Sequence, residues 1–178
     1  MRCFIAIKFP EEILDKIQGI QEESAKGKLF EGKFTERENL HLTLKFFGEL
    51  DERKIERIRE KLKEIKKERF DAEIKEMGVF NEDIVRIIWL KVNGEGVLDL
   101  QKDIDEKLAE FFKKEERFMS HVTIARVKKC EDKRKLISEL KEIRIPQMNF
   151  LVREFYLISS VLKKEKAEYS VIEKFELG

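Results

Sequence analysis

Two histidines, His41 and His121, are the whole histidine content of the 178-residue chain, and both stand in the same tetrapeptide pattern. The first reads His41-Leu42-Thr43-Leu44. The second reads His121-Val122-Thr123-Ile124, 80 positions later. Residues i and i+2 of a strand share a face, so each pattern presents an imidazole beside a hydroxyl. Phosphoryl transfer to water needs a base for the nucleophile's proton and an acid for the leaving oxygen. Imidazoles titrate near neutral pH, so two of them can hold opposite protonation states at once. The hydroxyls of Thr43 and Thr123 can donate to the non-bridging phosphate oxygens and stabilise charge as it develops. An in-line displacement puts nucleophile and leaving group on opposite sides of phosphorus. Two equivalent His-x-Thr strands facing each other across a cleft supply that arrangement.

A single strand histidine is more often a hydrogen-bonded structural residue than a catalyst; the repetition is what points to chemistry. Other chemistries lack their residues. Two histidines alone do not fill a zinc shell, and no HExxH pattern or cysteine cluster supplies further ligands. There is no GxSxG or phosphate-binding glycine loop, and Gly94-x-Gly96 lacks the rest of the dinucleotide fingerprint, which makes it a turn. Cys3 and Cys130 are isolated, as reduced thiols of a cytosolic protein are.

The elements that must position the histidines follow from periodicity. Residues 2–9 (RCFIAIKF) read as a strand that ends at Pro10, and Ile13, Ile17 and Ile20 give a helix over 10–24. Residues 25–37 read as a loop. In 39–47, Leu40, Leu42, Leu44 and Phe46 alternate with His41, Thr43 and Lys45, so the His/Thr face is not the one buried in the core. Gly48 ends this strand. Asp51 or Glu52 opens a helix over 52–68 with Ile55, Ile58, Leu62 and Ile65 in one stripe, and 70–80 is a strand. The order then repeats: strand 84–92, helix 96–114, strand 119–127, helix 131–142, strand 148–161 and a last strand at 168–177. These elements predict an α+β fold of two lobes related by a pseudo-two-fold axis, each with an antiparallel sheet and helices. A central cleft carries one His-x-Thr strand from each lobe. The chain reads as one bilobal domain over 1–178, with half-repeats at about 1–80 and 84–161 and a closing strand at 162–178.

Composition narrows the partners. Apolar residues are 42% of the chain, enough for a core without staples. Charged residues are also 42%, yet the net charge is only +1. A near-neutral surface is poorly suited to gripping long nucleic acid through many phosphates, but leaves room for a pocket that takes one phosphate or one RNA end. Abundant Lys and Glu is the composition of a thermophile. The chain has no run long and apolar enough to span a membrane and no signal peptide, which reads as a cytoplasmic protein.

Three stretches resemble the two-histidine phosphoesterase superfamily and, within it, the RNA 2′,3′-cyclic phosphodiesterase or 2′-5′ RNA ligase family. They are Arg2-Cys3-Phe4-Ile5-Ala6-Ile7, Asn39 to Gly48 around the first motif, and His121-Val122-Thr123-Ile124-Ala125-Arg126. They occur in family order and span the chain; Cys3 departs from the apolar residue usual there. The resemblance implies a metal- and cofactor-free phosphodiesterase that opens a terminal 2′,3′-cyclic phosphate of RNA to a 2′-phosphate. It also implies reversible 2′-5′ ligation, and RNA 3′ ends, tRNA fragments among them, as partners of a monomer. It implies that His41 is the proton donor and His121 the proton acceptor, and that Arg126 binds a phosphate oxygen. Strand parity places Arg126 with Val122 and Ile124, away from Thr123, unless a bend or bulge follows Ala125. Parity also gives Lys45 the cleft face, as positive charge at its mouth. Phe47, Phe80, Tyr156 and Tyr169 are aromatic residues that can stack on a base. Two other readings compete: an RNA-end binding module without turnover, and a related phosphodiesterase for cyclic nucleotides, 2′-5′ oligonucleotides or an oligonucleotide tail.

Overall fold

In a computed structural model, which describes residues 1–164 and 166–178, nine strands form one curled antiparallel sheet with four α-helices. The elements are β1 (Arg2–Lys8), α1 (Glu11–Lys26), β2 (Glu31–Phe34), β3 (His41–Glu49), α2 (Glu52–Lys63), β4 (Phe70–Val79) and β5 (Ile87–Asn93). They continue with α3 (Glu95–Lys107), β6 (His121–Lys129), α4 (Lys133–Glu142), β7 (Met148–Val152), β8 (Glu154–Leu162) and β9 (Ala167–Glu176).

Strand order is β7-β4-β5-β6-β3-β1-β8-β9, with β2 on β6. The centre of the sheet is the pair of motif strands. Around it the order is pseudo-symmetric: β5 flanks β6 as β1 flanks β3. The two halves exchange strands, since β4 pairs with β5 of the second half and β8 pairs with β1 of the first. Among the described residues, the two central strands meet through a single antiparallel backbone pair, Leu42↔Val122. Beyond it the strands part, and the short β2 takes the place of β3 beside β6, from Phe34↔Ala125 to Glu31↔Lys129.

The helices pack on the sheet face opposite the histidines. Ile13, Ile17 and Ile20 of α1, Ile55, Ile58 and Leu62 of α2, Val97, Leu100 and Ile104 of α3, and Leu136 and Leu140 of α4 form one cluster with Leu42, Leu44, Val122 and Ile124. Each helix buries a stripe at three- and four-residue spacing, as its periodicity predicts. Asp51 caps α2, its side chain accepting the Lys54 amide at 2.8 Å, and Asp132 caps α4 in the same way through Lys135 at 2.9 Å.

Four boundaries differ from the sequence reading. Helix α3 stops at Lys107, although the apolar spacing runs on through Leu108 and Phe111. The segment after it is tied down by the bond from the Glu115 amide to Asp105. Helix α2 ends at Lys63, and Ile65 is buried outside it. The expected strand over 148–161 is two strands broken at Arg153, which pair with β4 and with β1 and so lie in opposite halves of the sheet. The expected loop over 25–37 contains β2 and, at Arg37–Asn39, a turn of 3-10 helix.

Candidate active site

Continuing the antiparallel register one residue either side of Leu42↔Val122 sets His41 across from Thr123 and Thr43 across from His121. Leu42 and Val122 are fully buried on the helix side, so the four polar side chains share the opposite face. That face floors a cleft of about 590 Å³ lined by His41, Thr43, His121, Thr123 and Arg126 among others.

Both imidazoles are fixed the same way. His41 Nδ1 lies 2.7 Å from the Asn39 carbonyl and His121 Nδ1 lies 2.8 Å from the Met119 carbonyl. A carbonyl only accepts, so each Nδ1 carries a hydrogen and the lone pair of each neutral ring is on Nε2. His41 Nε2 is 2.9 Å from Thr43 Oγ1, which donates to it in the neutral state.

The two rings differ in their surroundings. His41 lies against Phe4 (centroids 4.9 Å apart) and Tyr169 (5.4 Å), rings that belong to a small apolar cluster with buried Ala6 and Ile158. His121 meets Phe80 edge-on at 4.9 Å. Burial drives the His41 pKa down to about 4; the bond to Asn39 opposes this, while the positive charges of Arg126 and Lys8 and the field of His121 add to it. His41 is therefore neutral at pH 7 when the cleft holds no anion.

Both motif strands carry a bulge at the same place. Opposite β1 the register steps from Ala6↔Thr43 to Ile5↔Lys45, leaving Leu44 as the extra residue. Opposite β5 it steps from Trp89↔Thr123 to Ile88↔Ala125, leaving Ile124 as the extra residue. A bulge inverts parity for everything that follows. Its consequence for β6 is that Ala125 is buried and Arg126 emerges on the histidine face, in the cleft. The bend lies one residue earlier than the position that the sequence reading required. Among the described residues Arg126 has no carboxylate partner, which leaves its guanidinium available to an anion.

For β3 the same bulge corrects the reading of Lys45. Lys45 borders the cleft, but its side chain is 3% exposed and its ammonium is paired with Asp105, so its charge is neutralised in the interior and not presented at the mouth. Burial raises Asp105, but hydrogen bonds from Lys45, the Glu115 amide and Gln101 outweigh this and hold its carboxyl below the usual range. Phe46, read as a core residue, is 70% exposed and lines the cleft at the place equivalent to Arg126. Of the four aromatics singled out, Phe80 and Tyr169 line the cleft. Phe47 packs on Phe112, and Tyr156 bonds Glu154 and lies under Lys8.

The unforeseen part of the site is the support for the β6 bulge. The Ile124 carbonyl accepts from Gln21 Nε2 and from the Thr35 amide, each at 2.9 Å. Thr35 Oγ1 donates to the Thr123 carbonyl at 2.7 Å. These bonds satisfy backbone groups that the bulge takes out of the ladder. A glutamine facing inward among Ile17, Ile20 and Ser24 of α1 is the one hint of this in the sequence. Among the described residues, no cluster of three or more His, Cys, Asp or Glu side chains is arranged to hold a metal ion.

A cleft floored by paired, Nδ1-anchored His-x-Thr strands on a curled antiparallel sheet is that of a two-histidine phosphoesterase. The chain belongs to the 2′-5′ RNA ligase superfamily, whose family model matches residues 9–163. It is 35% identical over 183 residues to the RNA 2′,3′-cyclic phosphodiesterase of Methanocaldococcus jannaschii, covering 98% of this chain and 100% of that protein. It is likewise 35% identical over 185 residues to the protein of that name from Methanothermobacter thermautotrophicus, covering 99% of each. The crystal structure of a protein from Thermus thermophilus superimposes with a TM-score of 0.84 at 26% identity, covering 99% of this chain and 97% of that one.

Proposed function

We propose that this chain hydrolyses the terminal 2′,3′-cyclic phosphate of RNA to a 2′-phosphate. The observation that carries the reading is the convergence, on one face, of two imidazoles with matching tautomers, two threonine hydroxyls and the arginine Arg126. The phosphodiesterase relatives, matched over nearly the whole chain, support the same reaction.

In this reaction Thr43, Thr123 and Arg126 hold the non-bridging oxygens of the cyclic phosphate. His121 Nε2 takes a proton from water as the oxygen attacks phosphorus. The bond to the 3′ oxygen breaks, and His41 Nε2–H protonates it as it leaves. The phosphate's own negative charge is what returns a proton to His41, whose pKa is about 4 in the free cleft. A 5′-hydroxyl in place of water would be joined to the same end with the same roles, His121 taking its proton and His41 protonating the departing 3′ oxygen; only cleavage of the resulting 2′-5′ linkage by the 3′-hydroxyl exchanges them. One observation favours the exchanged roles for hydrolysis itself: in the free protein His41 is neutral, and its Nε2 already accepts a hydrogen bond from the Thr43 hydroxyl, the state a base requires.

The test uses a short RNA ending in a 2′,3′-cyclic phosphate, in excess EDTA. A 2′-phosphate product, lost in His41→Ala and His121→Ala, is the expected result. Binding without turnover would replace this reading with an RNA-end binding module. Turnover only of cyclic nucleotides or 2′-5′ oligonucleotides would change the substrate but keep the mechanism.

A further inference from the structure

Lys45 stands four residues after His41, and the β3 bulge turns it from the cleft face into the interior. Its ammonium donates to one oxygen of the Asp105 carboxylate and, at 2.9 Å, to the Lys113 carbonyl. The other Asp105 oxygen accepts from Gln101 Nε2 at 2.9 Å and from the Glu115 amide at 2.7 Å. Asp105 and Gln101 are 4% and 3% exposed. The cluster therefore joins three pieces of chain: β3, the last turns of α3, and the segment between α3 and β6.

That segment leads directly to the second motif. Glu115, Arg117, Phe118 and Met119 line the cleft. The Met119 carbonyl accepts the His121 Nδ1–H, and Ser120 Oγ donates to the Val92 carbonyl. A continuous path thus runs from the strand of His41 through Lys45, Asp105 and the Glu115 amide to the carbonyl that aims His121. The equivalent residue on β6 is Ala125, so the tether exists on one side only. Two buried charges are costly to desolvate, and a well-packed apolar pair serves stability at least as well. What an apolar pair does not do is hold a directional bond to the Glu115 amide and the Lys113 carbonyl.

We propose that Lys45 and Asp105 are positioning residues of the active site: their buried pair anchors segment 108–120 to the first motif strand and thereby aims His121 at the phosphate. This rests on the reading that His41 and His121 carry the reaction.

The experiment compares wild type, the double variant Lys45→Met/Asp105→Leu, His121→Ala, and the double change in the His121→Ala background. Single-turnover hydrolysis of the cyclic-phosphate RNA is read alongside thermal melting. Lys45→Met alone leaves a buried carboxylate unpaired, so the double change is the informative one. The expected result is a folded variant whose kcat falls about 10–100-fold, as misaimed catalytic groups do. KM should stay within about threefold. In the His121→Ala background the same change should cost nothing further, because the residue it aims is gone. Wild-type kcat in the folded double variant would overturn the proposal, as would an equal loss in both backgrounds. Should the leucine variant not fold, Lys45→Met/Asp105→Asn, which removes the ion pair but keeps an acceptor for the Glu115 amide, is judged by the same two criteria, and wild-type kcat in it would likewise overturn the role of the buried pair. Full turnover in His121→Ala itself would instead sink the reading of the site, a separate failure.

Discussion

Leu42 of β3 pairs antiparallel with Val122 of β6, and the two residues hold the same position in their respective motifs. Each histidine therefore sits diagonally from the other and across from the other strand's threonine. Removing either imidazole should then remove one proton-transfer partner and leave the phosphate contacts in place. His41→Ala and His121→Ala are each expected to lower kcat by on the order of 10²–10⁴ with a native melting profile. Thr43→Val and Thr123→Val, which delete a donor to the developing charge, should each cost on the order of 10²-fold. Single-turnover rates on cyclic-phosphate RNA check all four, and a variant with an unchanged rate would remove that residue from the mechanism.

His41 also makes the protein sensitive to acid. Its folded pKa of about 4 lies below the ordinary 6.5, so the unfolded chain takes up this proton first as pH falls. The corresponding stability is fully present above pH 6.5 and is lost as pH drops toward 4, by about 3 kcal/mol at most. Urea unfolding at pH 7 and pH 4.5, wild type against His41→Asn, isolates this contribution from the many carboxylates. The variant should lose less stability over that interval. Inorganic phosphate should recover part of the wild-type loss, because an anion in the cleft stabilises the protonated ring. Titration of the His41 ring by NMR gives the same answer directly: its pKa should rise by more than about one unit when phosphate binds. A ring that stays neutral with the anion bound would assign the acid role to His121.

The alternation of 39–44 was enough to place His41 and Thr43 on one open face, because Leu40, Leu42 and Leu44 leave no other face to bury. Pattern failed one residue further on. Nothing about Leu44 or Ile124 distinguishes a bulged aliphatic residue from a ladder one, and a bulge reverses every later side chain. That single feature moved Lys45 inward, Phe46 outward and Arg126 into the cleft. Strand β2 was invisible for a different reason. Glu31-Gly32-Lys33-Phe34 has no apolar alternation, and its place is set by long-range bonds from Gln21 and Thr35. The overextended α3 has a third cause: Leu108 and Phe111 keep helical spacing after the helix has ended, because both still pack against the core.

Arg126 should act through its fork geometry as well as its charge. Arg126→Ala is expected to raise KM by about 10–100-fold and to weaken inorganic phosphate binding in parallel. Arg126→Lys should recover only part of either, since an ammonium offers no planar pair of donors. Calorimetric titration with phosphate, beside steady-state kinetics, separates the outcomes. Equal affinities for wild type and Arg126→Ala would assign Arg126 to the surface.

The position of Arg126 depends in turn on Gly32. A β-carbon on Gly32 would lie 2.1 Å from the Arg126 carbonyl oxygen and 3.1 Å from Val127 Cα, both backbone atoms that have no rotamer to escape into. Gly32→Ala must therefore push β2 away from β6. That movement loosens the Thr35 bonds that hold the Ile124 bulge. The expected stability loss is about 1–3 kcal/mol, the usual cost of forcing atoms into a closed space. Gly19, in the middle of α1, is the internal control, since a β-carbon there meets nothing within 4 Å. Gly19→Ala should leave activity unchanged and stabilise the helix by up to about 1 kcal/mol. Denaturant titration of both variants, with phosphate affinity as the second readout, tests the argument. Gly32→Ala should lose phosphate affinity together with stability, because the bulge that turns Arg126 into the cleft is what the new methyl disturbs. If Gly32→Ala is destabilised yet binds phosphate as wild type does, the bulge does not depend on β2, and the orientation of Arg126 is set by the β5 side of the ladder alone.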